Sequence, residues 1–89
     1  MGISLRDIQR LMREYYFKRD MERGLYATFT WFVEEVGELA DALLSNDKNK
    51  IEEEFADVLA WLTSLANIAG VDVEECFKRK YLRPEGPPI

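Results

Sequence analysis

"VEEVGELADAL", residues 33–43, decides the fold of this chain together with "IEEEFADVLAW" at residues 51–61. In both stretches apolar residues recur every three or four positions, which predicts amphipathic helices. Both also place acidic residues three and four apart, where like charges on one helix repel by roughly 0.2–0.5 kcal/mol per pair. The first stretch contains no Lys or Arg. Because a solvated helix face usually interleaves charges of both signs, the grouped carboxylates need another explanation.

The sequence on either side of these stretches predicts an all-α fold without strands. Helical periodicity extends over three long segments and a short fourth one, at about residues 5–22, 28–44, 48–69 and after Asp72. Ser4, with Asp7 three residues later, is close to a capping box for the first helix. Thr28 is the predicted N-cap of the second helix, and Asp72 that of the fourth.

Length and composition predict one small domain. The chain has 89 residues, 47% of them apolar, which excludes a disordered segment. We expect a single helical domain over residues 1–83 and an extended C-terminal tail over residues 84–89. The net charge of −5 and the absence of a long basic run argue against a nucleic-acid partner. No apolar run suits a membrane span or a signal peptide, so we predict a cytoplasmic protein without a membrane partner.

The chemistry available to the chain is limited by the residues that it lacks. It contains no histidine, which excludes Ser-His-Asp and Cys-His nucleophile systems and HExxH zinc sites. A single cysteine, Cys76, excludes an intrachain disulfide framework. Any chemistry must therefore come from carboxylates, cations and a bound metal.

The short turn centred on Asn46 predicts that the second and third helices form an antiparallel hairpin. Glu38 lies eight residues before Asn46 and Glu54 eight residues after it. Glu35 and Asp57 each lie eleven residues from the same point. Residues three apart on one helix are separated by about 4.5 Å along the axis. The four side chains are therefore expected to converge as a quadrilateral of carboxylates.

Four converging carboxylates would repel one another strongly unless a cation lay among them. Hard divalent cations with oxygen ligands, Mg²⁺ or Mn²⁺ as its substitute, suit such a set of donors. A single E-x-x-E pattern is more often a solvated helix face. Two such pairs, matched in helical phase and in distance from the turn, favour a metal site.

The residues that form this pattern resemble the MazG family of nucleotide pyrophosphohydrolases, within the all-α NTP pyrophosphatase superfamily. That family carries E-E-x-x-E on one helix and E-x-x-D on the next. Here the motifs are "EEVGE" at residues 34–38 and "EFAD" at 54–57, separated by fifteen residues. The following "LANIAGVDVEECFKRKYLR" is also similar, and the resemblance covers about residues 28–83.

The resemblance implies a MazG-like helical hairpin that completes a four-helix bundle by oligomerisation, as a homodimer or homotetramer. It implies a Mg²⁺-dependent hydrolase that converts a nucleoside triphosphate to the monophosphate and pyrophosphate, with a role in cleansing the nucleotide pool. The four carboxylates named above would be the metal ligands, and Glu34 would be a candidate to accept a proton from water. Phosphate contacts, in the same subunit or across a subunit boundary, are implied for Lys78, Lys80 and Arg83.

Two tryptophans, Trp31 and Trp61, are predicted to project on the acidic side of their helices. Large aromatic side chains there would be exposed in a monomer. A partner chain could cover them, or they could stack on a nucleotide base. We expect one of the two in a subunit interface and the other in a base pocket.

The sequence alone leaves alternatives for the function of the chain and for two of its residues. A catalytically idle dimerisation module with a divalent-metal site would carry the same apolar stripes. A phosphoribosyl-ATP pyrophosphatase-like enzyme would share the fold, although the residues of the E-E-x-x-E and E-x-x-D motifs fit MazG better. Gly37 is consistent with close approach by another helix, and Asn67 is either a polar surface residue or a nucleotide contact.

Overall fold

A computed structural model describes residues 2–88 as four α-helices. They are α1 (Leu5–Arg23), α2 (Leu25–Ser45), α3 (Lys48–Ala69) and α4 (Val73–Tyr81). The described residues contain no strand, which confirms the all-α prediction. Over the same range no single helix is long and apolar enough to cross a membrane. Together α3 and α4, which meet at 96°, satisfy the length and composition criteria as a bent pair.

The helix ends follow the capping residues in the sequence, with one exception. Ser4 and Asp7 form the capping box of α1, and Asp72 Oδ1 accepts a hydrogen bond from Glu75 N at 2.9 Å. The prediction that Thr28 caps α2 is wrong, because α2 begins at Leu25. Thr28 N already donates to the Gly24 carbonyl oxygen (3.0 Å), which places Thr28 inside the first turn with its side chain fully buried. Gly24 has a φ of 92° that permits this abrupt change of direction.

The hairpin of α2 and α3 is the centre of the fold. Asn46 adopts the left-handed conformation (φ 58°) that ends α2, and Asp47 Oδ1 caps α3 by accepting from Asn49 N at 3.1 Å. The long first helix packs mainly on α3, and α4 packs on α1. This arrangement leaves one side of the hairpin free of α1.

A buried polar lock holds α1 to the end of α3 and the start of α4. Gln9 Nε2 donates to Asn67 Oδ1 at 3.0 Å, and Asn67 Nδ2 donates back to the Gln9 carbonyl oxygen at 3.1 Å. Gln9 Oε1 in turn accepts from Val73 N at 3.0 Å. Asn67 is therefore not the surface amide considered from sequence, since it is buried and its polar atoms join two helices. A contact of Asn67 with the nucleotide stays a prediction.

Large apolar side chains cover the free side of the hairpin, in contrast to the buried positions, which are mostly small or polar. Phe55 is 56% exposed and Leu43 is 50% exposed. We call the exposed set the hairpin apolar face; its members are Phe29, Val33, Val36, Leu43, Phe55 and Leu62. By helical phase this face lies roughly 90° or more from Glu35, Glu38 and Glu54 on the same helices. Oligomerisation on it stays a prediction.

Two smaller expectations differ from the structure. A Cβ placed on Gly37 would meet no atom within 4 Å, so no described segment of this chain makes the close approach expected there. The tail predicted to be extended begins with a turn, because Gly86 N donates to the Arg83 carbonyl oxygen at 2.9 Å.

Candidate metal centre

Three carboxylates from two helices converge at the middle of the hairpin. Glu35 and Glu38 lie one turn apart on α2, and Glu54 faces them from α3. One carboxylate oxygen of each lies within 4.8 Å of the other two. The register counted from Asn46 produces this meeting, because residues three apart on a helix project from neighbouring turns of one face.

Two oxygens in the inner part of this cluster have no hydrogen-bond partner within residues 2–88. Glu35 and Glu54 are half-buried, and the Oε2 atom of each is buried and unpaired there. Burial raises the pKa of Glu35 from 4.5 to about 7, assisted by the charge of Glu38, by hydrogen bonding with Glu54 and by the charges of Glu54 and Asp57. No Lys or Arg nitrogen in residues 2–88 lies within 4.0 Å of the three clustered carboxylates. A divalent cation would supply the missing positive partner.

The other two predicted acidic residues lie at the edge of the cluster. Asp57 is exposed, and its charge contributes to the raised pKa of Glu35, but its oxygens do not join the three that converge. Glu34 is exposed and lies about 100° around α2 from Glu35. The structure therefore brings three of the four predicted ligands together, with Asp57 one turn away and Glu34 facing solvent.

The two tryptophans form one unit. Their indole rings stack with centroids 6.1 Å apart and an angle of 18° between the ring planes. The Arg23 guanidinium lies over the Trp61 ring, 5.0 Å from its centroid. Trp31 is 49% exposed, and Trp61 is half-buried. Within this chain the residues expected to have separate interface and pocket roles are in direct contact with each other.

A cavity of about 240 Å³ opens beside Asp57, between α1 and α3. Trp61 lies in its wall, and α1 contributes Met12, Tyr16, Arg19, Asp20 and Arg23. Sequence reasoning missed this cavity because it depends on the packing of two helices about 40 residues apart in the chain. The only local signal was the spacing of Asp20 and Arg23, three residues apart, which suits an ion pair.

Sequence reasoning also missed Lys50. It lines a more open cavity of about 320 Å³ together with Glu38 and Glu54. It precedes Glu54 by four residues, so the two side chains share one face of α3. Lys50 therefore shares a cavity with two members of the acidic cluster, although it forms no ion pair with either within 4.0 Å.

The three predicted phosphate contacts lie at the other end of the chain. Lys78 Nζ is 3.8 Å from Glu74 Oε2, Arg83 Nε is 3.4 Å from Glu85 Oε1, and Lys80 lies over the Tyr81 ring. The stretch of α3 from Glu54 to Ala69 is about 22 Å long at 1.5 Å per residue, and α4 begins beyond it. The structure does not bring these cations to the acidic cluster of the same chain.

Comparison with known proteins places this geometry in context. The sequence matches the family described as the MazG nucleotide pyrophosphohydrolase domain over residues 23–83, more than half of the chain. The match includes both acidic motifs and begins at Arg23, so most of α1 lies outside it. None of the curated proteins matches the chain.

Proposed function

The chain belongs to the MazG nucleotide pyrophosphohydrolase domain family, and from this premise we propose that it hydrolyses nucleoside triphosphates between the α- and β-phosphates. The products would be the nucleoside monophosphate and pyrophosphate, and the expected role is cleansing of the nucleotide pool. One observation carries the proposal. Glu35, Glu38 and Glu54 converge within 4.8 Å inside the matched region, and one buried oxygen each of Glu35 and Glu54 has no hydrogen-bond partner within residues 2–88.

The donor set fits Mg²⁺, with Mn²⁺ as a substitute. The site offers only carboxylate oxygens, which hard divalent cations prefer, and no sulfur or imidazole ligand. Glu35, Glu38 and Glu54 would hold the ion, and Asp57, one turn from Glu54, would complete the set. When bound, the ion neutralises charge on the triphosphate, polarises the scissile phosphoryl group and lowers the pKa of a water molecule.

Residues of the chain would accept the proton of the attacking water and contact the negatively charged leaving group. Water adds to phosphorus, the bridging P–O bond breaks and pyrophosphate leaves. A carboxylate oxygen that is not engaged with the metal accepts the proton of the water. Glu34 is the candidate outside the cluster, since its side chain is exposed and forms no ion pair with any residue that the structure describes. Lys50, in the cavity next to Glu38 and Glu54, is the cation best placed in the same chain to contact phosphate oxygens.

The more distant cations would act from a second subunit. A homodimer or homotetramer that buries the hairpin apolar face would remove large exposed side chains such as Phe55 and Leu43 from water. Packing two hairpins together would also complete a four-helix bundle. In such an assembly Lys78, Lys80 and Arg83 of one subunit could contact the triphosphate bound to another.

The test is pyrophosphate release from a panel of canonical and modified NTPs and dNTPs, with phosphoribosyl-ATP included. We expect release that requires Mg²⁺ and is abolished by EDTA. Glu38→Gln and Asp57→Asn should each lower kcat/KM by at least about 100-fold while the helical circular dichroism signal is retained. The matched control is Glu52→Gln, an exposed residue of α3 outside the cluster, which should keep its activity.

A second candidate function rests on the exposed hairpin apolar face. A helical module that binds a partner through that face, with metal only relieving repulsion among the carboxylates, would have the same exposed residues. Intact Mg²⁺ binding without hydrolysis of any nucleotide would favour this function. Full activity in the Glu38→Gln variant would refute the assignment of the site.

A further inference from the structure

We propose that the cavity between α1 and α3 holds the nucleoside part of the substrate and that Asp20 is the specificity-determining residue within it. This inference rests on the proposed nucleotide hydrolysis, because it assigns a subsite to the same substrate. The subsite lies between α1 and α3, and Asp20 on its α1 side lies outside the matched family region of residues 23–83.

Asp20 is a buried carboxylate of which only one oxygen is occupied. The residue is 2% exposed, and its Oδ1 accepts a hydrogen bond from Arg23 Nη1 at 2.9 Å. Its Oδ2 is buried and has no hydrogen-bond partner among the described residues, and the residue lines the cavity. Leaving such an atom unpaired is unfavourable, so a ligand that brings an N–H or O–H donor to it is favoured.

The cavity adjoins the acidic cluster and suits only part of a nucleotide. Asp57 belongs to its wall and also acts on Glu35, so a group bound in the cavity would be next to the metal centre. Its volume of about 240 Å³ is below the range of about 300–1,000 Å³ for pockets that enclose a whole drug-sized ligand. Met12, Tyr16 and Trp61 provide apolar and aromatic walls suited to a nucleoside.

The carboxylate of Asp20 can accept a hydrogen bond from the nucleoside part of the substrate but not from its phosphates. A carboxylate oxygen accepts hydrogen bonds and repels phosphate, so the free Oδ2 cannot bind a phosphate oxygen. Neutral donors of a nucleoside are the exocyclic amino groups of the bases, the ring N–H groups of uracil, thymine, guanine and hypoxanthine, and the hydroxyl groups of the sugar. A hydrogen bond from any of these to a charged acceptor would change affinity by about 10- to 100-fold.

The substitution Asp20→Asn gives a directional test because Arg23 fixes the orientation of the side chain. The guanidinium donates to the Oδ1 position, so the amide oxygen of Asn would occupy that position. The amide NH₂ would then replace Oδ2, so the unpaired acceptor of this cavity-lining residue would become a donor. The preference for a ligand donor should weaken or invert, whereas a merely structural role of Asp20 would change stability without changing ligand preference.

The experiment compares matched ligands by kcat/KM and, independently of turnover, by calorimetric binding of their α,β-imido triphosphates with Mg²⁺. The pairs dCTP/dUTP and dATP/dITP test a base amino group against a ring N–H, and the preferred member shows which of the two is the donor. The pair ATP/dATP tests a sugar hydroxyl. We expect the wild type to discriminate within at least one pair by about tenfold or more, and Asp20→Asn to remove that discrimination. The pair that loses it identifies the donor.

Unchanged ratios in every pair for Asp20→Asn would overturn the proposal, as would a wild type that discriminates in none. A second variant tests the cavity itself. Ala60→Met, in the cavity wall, should weaken imido-nucleotide binding while Mg²⁺ binding remains; Ala69→Met, at the exposed end of α3, is its control. If the imido nucleotides bind but none of the parent triphosphates is hydrolysed, the proposed activity is refuted and this subsite stands. Equal binding of the imido nucleotides by Ala60→Met and wild type would refute the subsite.

Discussion

Replacing Glu35 by Gln should stabilise the metal-free protein at pH 8 and leave its stability unchanged at pH 5. In the folded state the pKa of Glu35 is raised to about 7, first by burial and then by the neighbouring carboxylates, whereas its ordinary value is 4.5. Between these values the folded protein holds a proton that the unfolded chain has released. The stability of the wild type therefore falls as the pH rises from about 4.5 to 7 and stays low above that range.

The magnitude follows from the size of the pKa shift. At 1.36 kcal/mol per pKa unit, the full shift corresponds to at most about 3 kcal/mol. Solvent near the exposed Glu38 and Asp57 screens the repulsion, which reduces the expected change to about 1–2 kcal/mol. For a domain of this length that is about 5–15 °C in Tm. A Gln side chain carries no charge at either pH, so the variant should lose the pH dependence.

Urea and thermal denaturation in EDTA at pH 5 and pH 8 would measure the effect, at one protein concentration because association also changes Tm. Glu52→Gln is the control for removing an exposed charge from the hairpin. Added Mg²⁺ should stabilise the wild type at pH 8 and the Glu35→Gln variant much less. Equal stability of the two Gln variants at pH 8, or a wild type with the same stability at both pH values, would refute the reasoning.

Three other predictions follow from the packing. Asn67→Ala should lower the free energy of unfolding by about 2–3 kcal/mol in urea denaturation, because Gln9 would lose both of its hydrogen bonds to the amide; a change below about 0.5 kcal/mol would contradict the polar lock. Leu43→Glu combined with Phe55→Glu should convert an oligomer to a monomer in sedimentation velocity, and an unchanged sedimentation coefficient would contradict an interface on that face. Mixing inactive Lys80→Ala and Asp57→Asn proteins should restore activity if one site uses residues of two subunits, and a mixture as inactive as its components would contradict this.

The acidic cluster could be predicted from sequence because it depends on local geometry alone. A helix has a fixed rise and phase, so counting from the turn at Asn46 was sufficient to place Glu38 opposite Glu54. The caps at Ser4 and Asp72 were predictable for the same reason, since each side chain bonds its own first turn. Thr28 was misassigned because Gly24 allows α2 to begin one turn earlier.

The features that sequence reasoning missed depend on contacts between distant segments. The half-satisfied carboxylate of Asp20 and the cavity around it exist only because α1 packs against α3. The direction of α4, which takes Lys80 away from the carboxylates, depends on the hydrogen bonds that Gln9 makes across helix ends. The unpaired carboxylate of Asp20 and the hydrogen bonds of Gln9 each depend on a single polar side chain. A single residue leaves no periodic pattern in the sequence.

The central claim is that these carboxylates hold a metal for hydrolysis of the α–β phosphoanhydride. Phosphorus NMR of the products formed from a nucleoside triphosphate, with Mg²⁺ and with EDTA, tests it most directly. We predict monophosphate and pyrophosphate in equal amounts with Mg²⁺ and neither with EDTA. Diphosphate and orthophosphate as the products, or no reaction with any nucleotide in the presence of Mg²⁺, would contradict the claim.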